Sequence, residues 1–312
     1  MAIAVPPTPA SHADVPPPPP AYRSLVPPPP PPYEHPSTVR GGTLALVATG
    51  LLVAVGLLVR SNLVFGIVVL AAIFIPIERL ASLHPQKVLR PLWKTDLVHL
   101  VVNNLLTTVG LVIAIVVPVV LVRGALGTGL TDVVHAQPFW LQFTEALLVA
   151  ELAGYWAHRA THRVPLLWRF HKVHHSISEM DWLAAGRLHP LDQVFVRSCV
   201  ILPLVVLGFD RTTFGAYLLF ATLWAIFIHA NVRFTFGPLR WIVATPAYHH
   251  WHHTNDDDAI NRNFAGQLPL LDMVFGTFHL PKHRWPSTYG IDERVPITYL
   301  GQLAWPFRRT EG

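Results

Sequence analysis

The sequence predicts an all-α protein: a polytopic bundle of about six membrane-spanning helices with a histidine-rich cap at one face. Three observations predict it. The 312-residue chain is 52% hydrophobic and only 13% charged, and its mean hydropathy is positive, a balance that points away from a soluble domain. Apolar runs of near-spanning length recur along the chain, divided by short polar stretches. The histidines are concentrated: five fall within the eighteen residues 158–175 and four within 249–253, each group following an apolar run.

Composition bounds the function. The net charge of +5 is modest, and the basic residues gather in short loops between apolar runs. They read as topology signals and headgroup contacts. No nucleic-acid-binding module is visible. The single cysteine, Cys199, lies inside an apolar run and makes no intrachain disulfide. The sequence carries no signal for an oligomeric state.

Residues 1–40 hold half of the 30 prolines, including Pro16–Pro20 and Pro27–Pro32. Proline breaks helix interiors and sheet ladders, so this segment reads as a disordered or polyproline II tail. No basic stretch precedes an early apolar core there, so no secretory signal is expected. Residues 41–94 read as an N-terminal membrane hairpin and its connector. Its apolar runs are 43–59 and 63–77, interrupted at Arg60-Ser61-Asn62. Each run is close to the lower limit of about 17 residues for a span; one long element broken at Arg60 is the alternative.

The third span is expected over 97–122, with His99, Asn103 and Asn104 in its first turns. Polar groups at membrane depth face a bundle interior. Structural hydrogen bonding is the plainer role for them, and contact with a metal site the other. The fourth span, 139–157, runs directly into His158. Glu151 lies seven residues earlier on the same helix face. It reads either as a carboxylate orienting an imidazole or as one paired elsewhere. The fifth and sixth spans are expected over 191–209 and 213–230, joined by Asp210-Arg211-Thr212. An antiparallel pair returns His189 and His229 to the side that holds His158 and His175.

The spacing within the histidine groups has a physical reading. His158 and His162 are four residues apart; His171, His174 and His175 fall at i, i+3 and i+4, and His249, His252 and His253 repeat that pattern. Such positions share a helix face, so each motif can aim its imidazoles together. Imidazole suits iron, zinc, copper and nickel. These eight histidines are too many for one tetrahedral ion and suit two. His250 sits at the variable position of its motif and is left out. His135, His279 and His283 have no motif spacing and read as loop or surface residues.

The motifs H-x3-H, H-x2-H-H and H-x2-H-H, in that order between apolar spans, resemble the fatty acid hydroxylase / sterol desaturase superfamily of integral-membrane di-metal oxygenases. The resemblance extends to Gly154–Arg159, Leu167–Ser176, Thr245-Pro246 and Asp272–Phe278, and covers about residues 95–281. It implies a catalytic domain over 95–281 followed by a C-terminal tail over 282–312. It implies two iron ions and further ligands at His189 and His229, added to the eight. It implies O2-dependent hydroxylation or desaturation of a lipid or sterol C–H bond, with carotenoid hydroxylation and ether-lipid cleavage as alternatives within the superfamily.

Asn231 and Asp272 join Glu151 as candidates to support the ligands from behind. No haem or flavin segment is apparent, so the electrons are expected from a separate ferredoxin, or from a cytochrome with its reductase. Arg163, Arg169, Lys172 and Arg240 could offer such a donor a basic surface, or serve only as topology signals. The excess of Lys and Arg on the histidine side places the clusters and the N-terminal tail in the cytoplasm. Two readings from other classes compete. A membrane zinc hydrolase would carry H-E-x-x-H, which is absent. A metal transporter would place its ligands near the bilayer midplane, whereas these lie at span ends.

Overall fold

The computed structural model describes residues 62–126, 129–282, 284–286 and 288–308. The proline-rich tail, the run 43–59, the break at Arg60 and His283 lie outside the described residues. The described chain is helical, and its β pairing is limited to the isolated bridges Ser82–Val232 and Thr254–Tyr289.

Ten α-helices follow one another among the described residues: α1 Asn62–Leu80, α2 Trp93–Leu126, α3 Gly129–His135, α4 Phe139–Arg163, α5 Pro165–His175, α6 Pro190–Leu207, α7 Arg211–His229, α8 Pro246–His252, α9 Leu270–Val274 and α10 Tyr299–Ala304. Four of them are long and apolar enough to cross a membrane: α1, α2, α6 and α7. Their exposed faces carry large apolar side chains such as Leu105, Ile113 and Val120 on α2. Helices satisfy their own backbone polar groups, which is what hydrocarbon demands of a spanning segment.

The expectation of about six spans is therefore met in four of the described helices. The shortfall at 139–157 has a physical cause. Gln142, Glu145 and Glu151 lower the hydropathy of α4, but each has a protein partner. Gln142 accepts from Asp210 N at the α6–α7 turn, Glu145 accepts from Gln137, and Glu151 accepts from Gln267 N and Leu268 N. The 25 residues of α4 reach about 37 Å, from the α6–α7 turn to the histidines.

Five helices each present one end to the cap. The C-terminus of α1 arrives through Glu78, which accepts from Trp182 N and Asn231 N. The N-terminus of α2 arrives through Asp96, bonded to Arg187. The C-termini of α4 and α7 carry His158 and His229, and the N-terminus of α6 carries Asp192 beside His171. The turn between α6 and α7 at the far end is held by Asp210, whose carboxylate caps α7 through Thr213 N. Gly208 ends α6 at φ 80°, where an added Cβ would lie 2.5 Å from Thr131 Oγ1, so the turn requires glycine.

Candidate metal centre

Local sequence sets the direction of each ligand-bearing helix. Val164 precedes a proline and is held extended, at φ −96° and ψ 115°. Pro165 then starts α5 at its first position, so α5 leaves α4 at a bend and brings His171, His174 and His175 back under His158 and His162. Thr245 caps α8 by accepting from Tyr248 N, with Pro246 at its first position. This aims the third motif into the same space.

Two groups of imidazoles result. His158, His162, His171, His175 and His252 form one, and His174, His229, His249 and His253 the other; in each group the nitrogens lie within 4.8 Å of one another. The motifs are divided differently from the sequence expectation of one direction per motif. Residues at i and i+4 stay together, as His171 does with His175 and His249 with His253. Adjacent residues separate, as His174 does from His175 and His252 from His253. Successive residues on a helix diverge by about 100°, so a doublet at the edge of a helix gives one imidazole to each group. The groups abut through His175 and His253, whose rings stack at 4.6 Å.

Five of the nine histidines have an anchored outer nitrogen, whereas Nδ1 of His249 and of His253 is buried without a hydrogen-bond partner. His158 Nδ1 bonds Phe264 O at 2.7 Å, His252 Nδ1 bonds Arg262 O at 2.8 Å, and His171 Nδ1 bonds the Asp192 carboxylate at 3.1 Å. His174 Nδ1 bonds Arg187 O at 3.0 Å, and His229 Nδ1 bonds Ala225 O at 2.6 Å. A carbonyl only accepts, so the two last Nδ1 atoms carry the proton and each Nε2 is a bare lone pair. Yet those Nε2 atoms face each other at 3.1 Å, and His249 Nε2 lies 3.1 Å from that of His229. Lone pairs at that distance repel unless a cation stands between them. In the other group, Nε2 of His162, His171, His175 and His252 is buried without a hydrogen-bond partner. Buried polar atoms are otherwise satisfied, so the donor set fits two imidazole-bound metal ions.

Burial, then the neighbouring imidazoles, pushes His174, His175, His249 and His253 well below the ordinary imidazole range, and His252 down to about 3, chiefly by burial. The rings are therefore held neutral, which is the ligating form. Sign follows from linkage. The unfolded chain binds protons near about pH 6.5, so stability is fully present above that value and is lost as the pH falls toward the depressed folded values. The unfolding midpoint of chelator-stripped protein is expected to be level above about pH 7 and to fall steadily below about pH 6.5. A level midpoint down to about pH 4 would contradict this assignment.

His189 lies outside both groups. It caps α6: its Nδ1 accepts from Leu191 N at 3.2 Å and its Nε2 donates to Leu303 O at 3.1 Å. Both ring nitrogens of the neutral form are thus occupied and neither is free for a metal. The hydrogen bonds of the supporting candidates go to backbone and hydroxyl groups and to none of these imidazoles. Glu151 holds the 267–268 backbone. Asn231 exchanges two bonds with the backbone of His84. Asp272 accepts from Phe264 N, Ala265 N, Thr277 Oγ1 and Tyr248 OH, and so fixes the strand of chain whose Phe264 carbonyl holds His158.

His250 bonds Tyr289 OH and Ala230 O. His279 is half-buried against the Trp251 ring, not a surface residue. Lys172 is also not a surface cation. It is buried, paired with Glu293 and 4.3 Å from the Trp305 ring centroid.

Sequence reasoning missed Asp192. The available signal was its place in the first turn of α6, in His189-Pro190-Leu191-Asp192. Asp192→Asn is expected to weaken metal binding in the His171 group by roughly 10–100-fold, measured by chelator competition on purified protein.

Apolar helices of spanning length and two adjoining imidazole groups at their common end define a membrane protein with a candidate metal centre. Comparison with known proteins gives a likeness to one family: residues 143–277 match the fatty acid hydroxylase family model. The chain is 36% identical over 175 residues to the ornithine lipid hydroxylase OlsE of Rhizobium tropici, covering 55% of this chain and 52% of that protein. It is 33% identical over 154 residues to the human alkylglycerol monooxygenase, covering 49% of this chain and 34% of that one. A very-long-chain aldehyde decarbonylase of Oryza sativa subsp. indica is 31% identical over 165 residues, covering 48% of this chain and 26% of that protein. The chain thus spans about half or less of the length of these relatives. No solved structure matches it.

Proposed function

We propose that the protein is a membrane-bound di-iron oxygenase that hydroxylates a C–H bond of a bilayer lipid. The observation that carries the proposal is the pair of adjoining imidazole groups with their inward nitrogens bare. The nine histidines of the two groups would hold the ions. A pair of iron ions, when bound, supplies O2 activation for attack on an unactivated C–H bond. The overall reaction consumes one O2, two electrons and two protons, and yields the alcohol and one water.

The protein's own side chains then do three things. The Nδ1 acceptors fix the tautomer and aim of His158, His171, His174, His229 and His252. Phe264 packs on His158, His162 and His252, and Trp168 lies 5.2 Å from His162 and 5.5 Å from His175; these apolar rings keep water from the ligand nitrogens. His158 and His162 are the only two ligands of their group that are not buried, so a lipid C–H bond and O2 approach from the α4 side.

The names of two relatives, an ornithine lipid hydroxylase and an alkylglycerol monooxygenase, favour a lipid substrate over a soluble one. The excess of Lys and Arg on the cap side supports a cytoplasmic cap, where a separate soluble protein can deliver electrons. Arg163 and Arg169 are exposed there, and an acidic donor suits them. Lipid mass spectrometry of cells with and without the protein tests the reading. A lipid gaining the mass of one oxygen supports hydroxylation; a lipid losing two hydrogens replaces it with desaturation. An unchanged lipid profile in cells that contain the metal-loaded protein overturns it.

A further inference from the structure

The apolar helix α2 carries one polar stripe. Asp96, His99, Asn103 and Thr107 step by three, four and four residues and so share a face, and all four are buried. Each of the four reaches the crossing segment 187–193, and the stripe is backed by further bonds to Arg90, Tyr299 and Gln302. Asp96 binds the Arg187 guanidinium at 2.5 and 2.9 Å. Asn103 Nδ2 donates to Leu188 O at 2.5 Å and lies 3.1 Å from His99 Nδ1. His99 Nε2 bonds Gln302 Oε1 at 2.8 Å, and Asn103 Oδ1 accepts from Tyr299 OH at 3.0 Å. Thr107 Oγ1 donates to Gln193 Oε1 at 3.2 Å.

The gripped segment matters because of what it holds in turn. The Arg187 carbonyl takes His174 Nδ1, and the Asp192 carboxylate takes His171 Nδ1. These two histidines belong to different groups. Other anchors serve one group each: Phe264 and Arg262 hold His158 and His252 of the first, and Ala225 holds His229 of the second. Among the described residues, only 187–192 bonds the outer nitrogens of both groups. The Arg187 guanidinium also donates to Ser176 O, which follows His175 at the end of α5.

We propose that the α2 stripe is a shared positioning device, in which Asn103 and Asp96 set the geometry of both metal sites through segment 187–192. This rests on the metal-centre reading above. A displacement of the segment would disturb one ligand in each site together, so the two ions should respond as a unit.

The test uses full-length, metal-loaded protein in detergent and follows metal loss to a chelator well below the unfolding midpoint. Asn103→Leu is the main variant, and Tyr299→Phe, which removes only the donor to Asn103, is the mild second. Gln142→Leu is the control: Gln142 is equally buried but bonds the far turn at Asp210. Asn103→Leu is expected to release both ions faster by about tenfold or more, in one phase, and to alter the visible spectrum of the cobalt-substituted protein. Tyr299→Phe is expected to shift release in the same direction by a smaller factor. Gln142→Leu should lower the unfolding midpoint while leaving release unchanged.

Release at the wild-type rate in both Asn103→Leu and Tyr299→Phe overturns the proposal, as does acceleration equal to that of Gln142→Leu. Faster loss of one ion alone overturns the shared role. Wild-type protein that binds no metal is a different failure: it removes the metal-centre reading itself.

Discussion

His174→Ala is expected to abolish turnover, a loss of more than about a thousandfold, or about 4 kcal/mol of transition-state stabilisation. It should also lower the metal content by about one ion per chain while leaving membrane insertion intact. The reason is local. His174 supplies one of four buried nitrogens in its group, and its Nε2 sits 3.1 Å from that of His229. Its removal leaves three imidazoles and a void at the junction with His175. Elemental analysis and turnover on the same preparation check this. Full activity in the variant would remove His174 from the site.

Asp272→Ala is expected to have the largest effect on stability. Its carboxylate is fully buried and accepts from two backbone N–H groups, one threonine hydroxyl and the Tyr248 hydroxyl. Truncation leaves these donors unsatisfied, at about 1–3 kcal/mol for each one that finds no new partner. A total loss on the order of 3–5 kcal/mol follows, after partial relaxation. Because Asp272 fixes Phe264, and Phe264 O anchors His158, metal should also leave the first group more readily. Thermal unfolding followed by metal analysis separates the two effects. A midpoint within a degree or so of wild type would contradict the role given to Asp272.

How much of this was legible in the sequence depended on whether the interaction was local. The i, i+4 pairs of histidines were visible because helical periodicity alone places them together. The division of each doublet between two imidazole groups was not, since it depends on where α4, α5 and α8 meet. His189 shows the limit from the other side. A histidine before a proline at the head of a helix has the same sequence appearance whether it caps the helix or binds a metal, and only Leu191 N and Leu303 O reveal the cap. The sequence expects a span over 139–157, but α4 is not among the four helices apolar enough to cross; Gln142, Glu145 and Glu151 lower its hydropathy, and the partners they bond lie in other segments. Asp192 goes unseen for the same reason, and of the α2 stripe the sequence shows only His99 and Asn103 as polar groups facing an interior, because the partners lie some twenty to ninety residues away along the chain.

The most direct test is the metal-to-chain ratio of detergent-purified protein from iron-supplied cells, with X-ray absorption to identify the ligand atoms. Two adjoining imidazole groups predict about two irons per folded chain, coordinated mainly by nitrogen and without sulfur. Folded protein that carries no metal, or a single ion, would contradict the account.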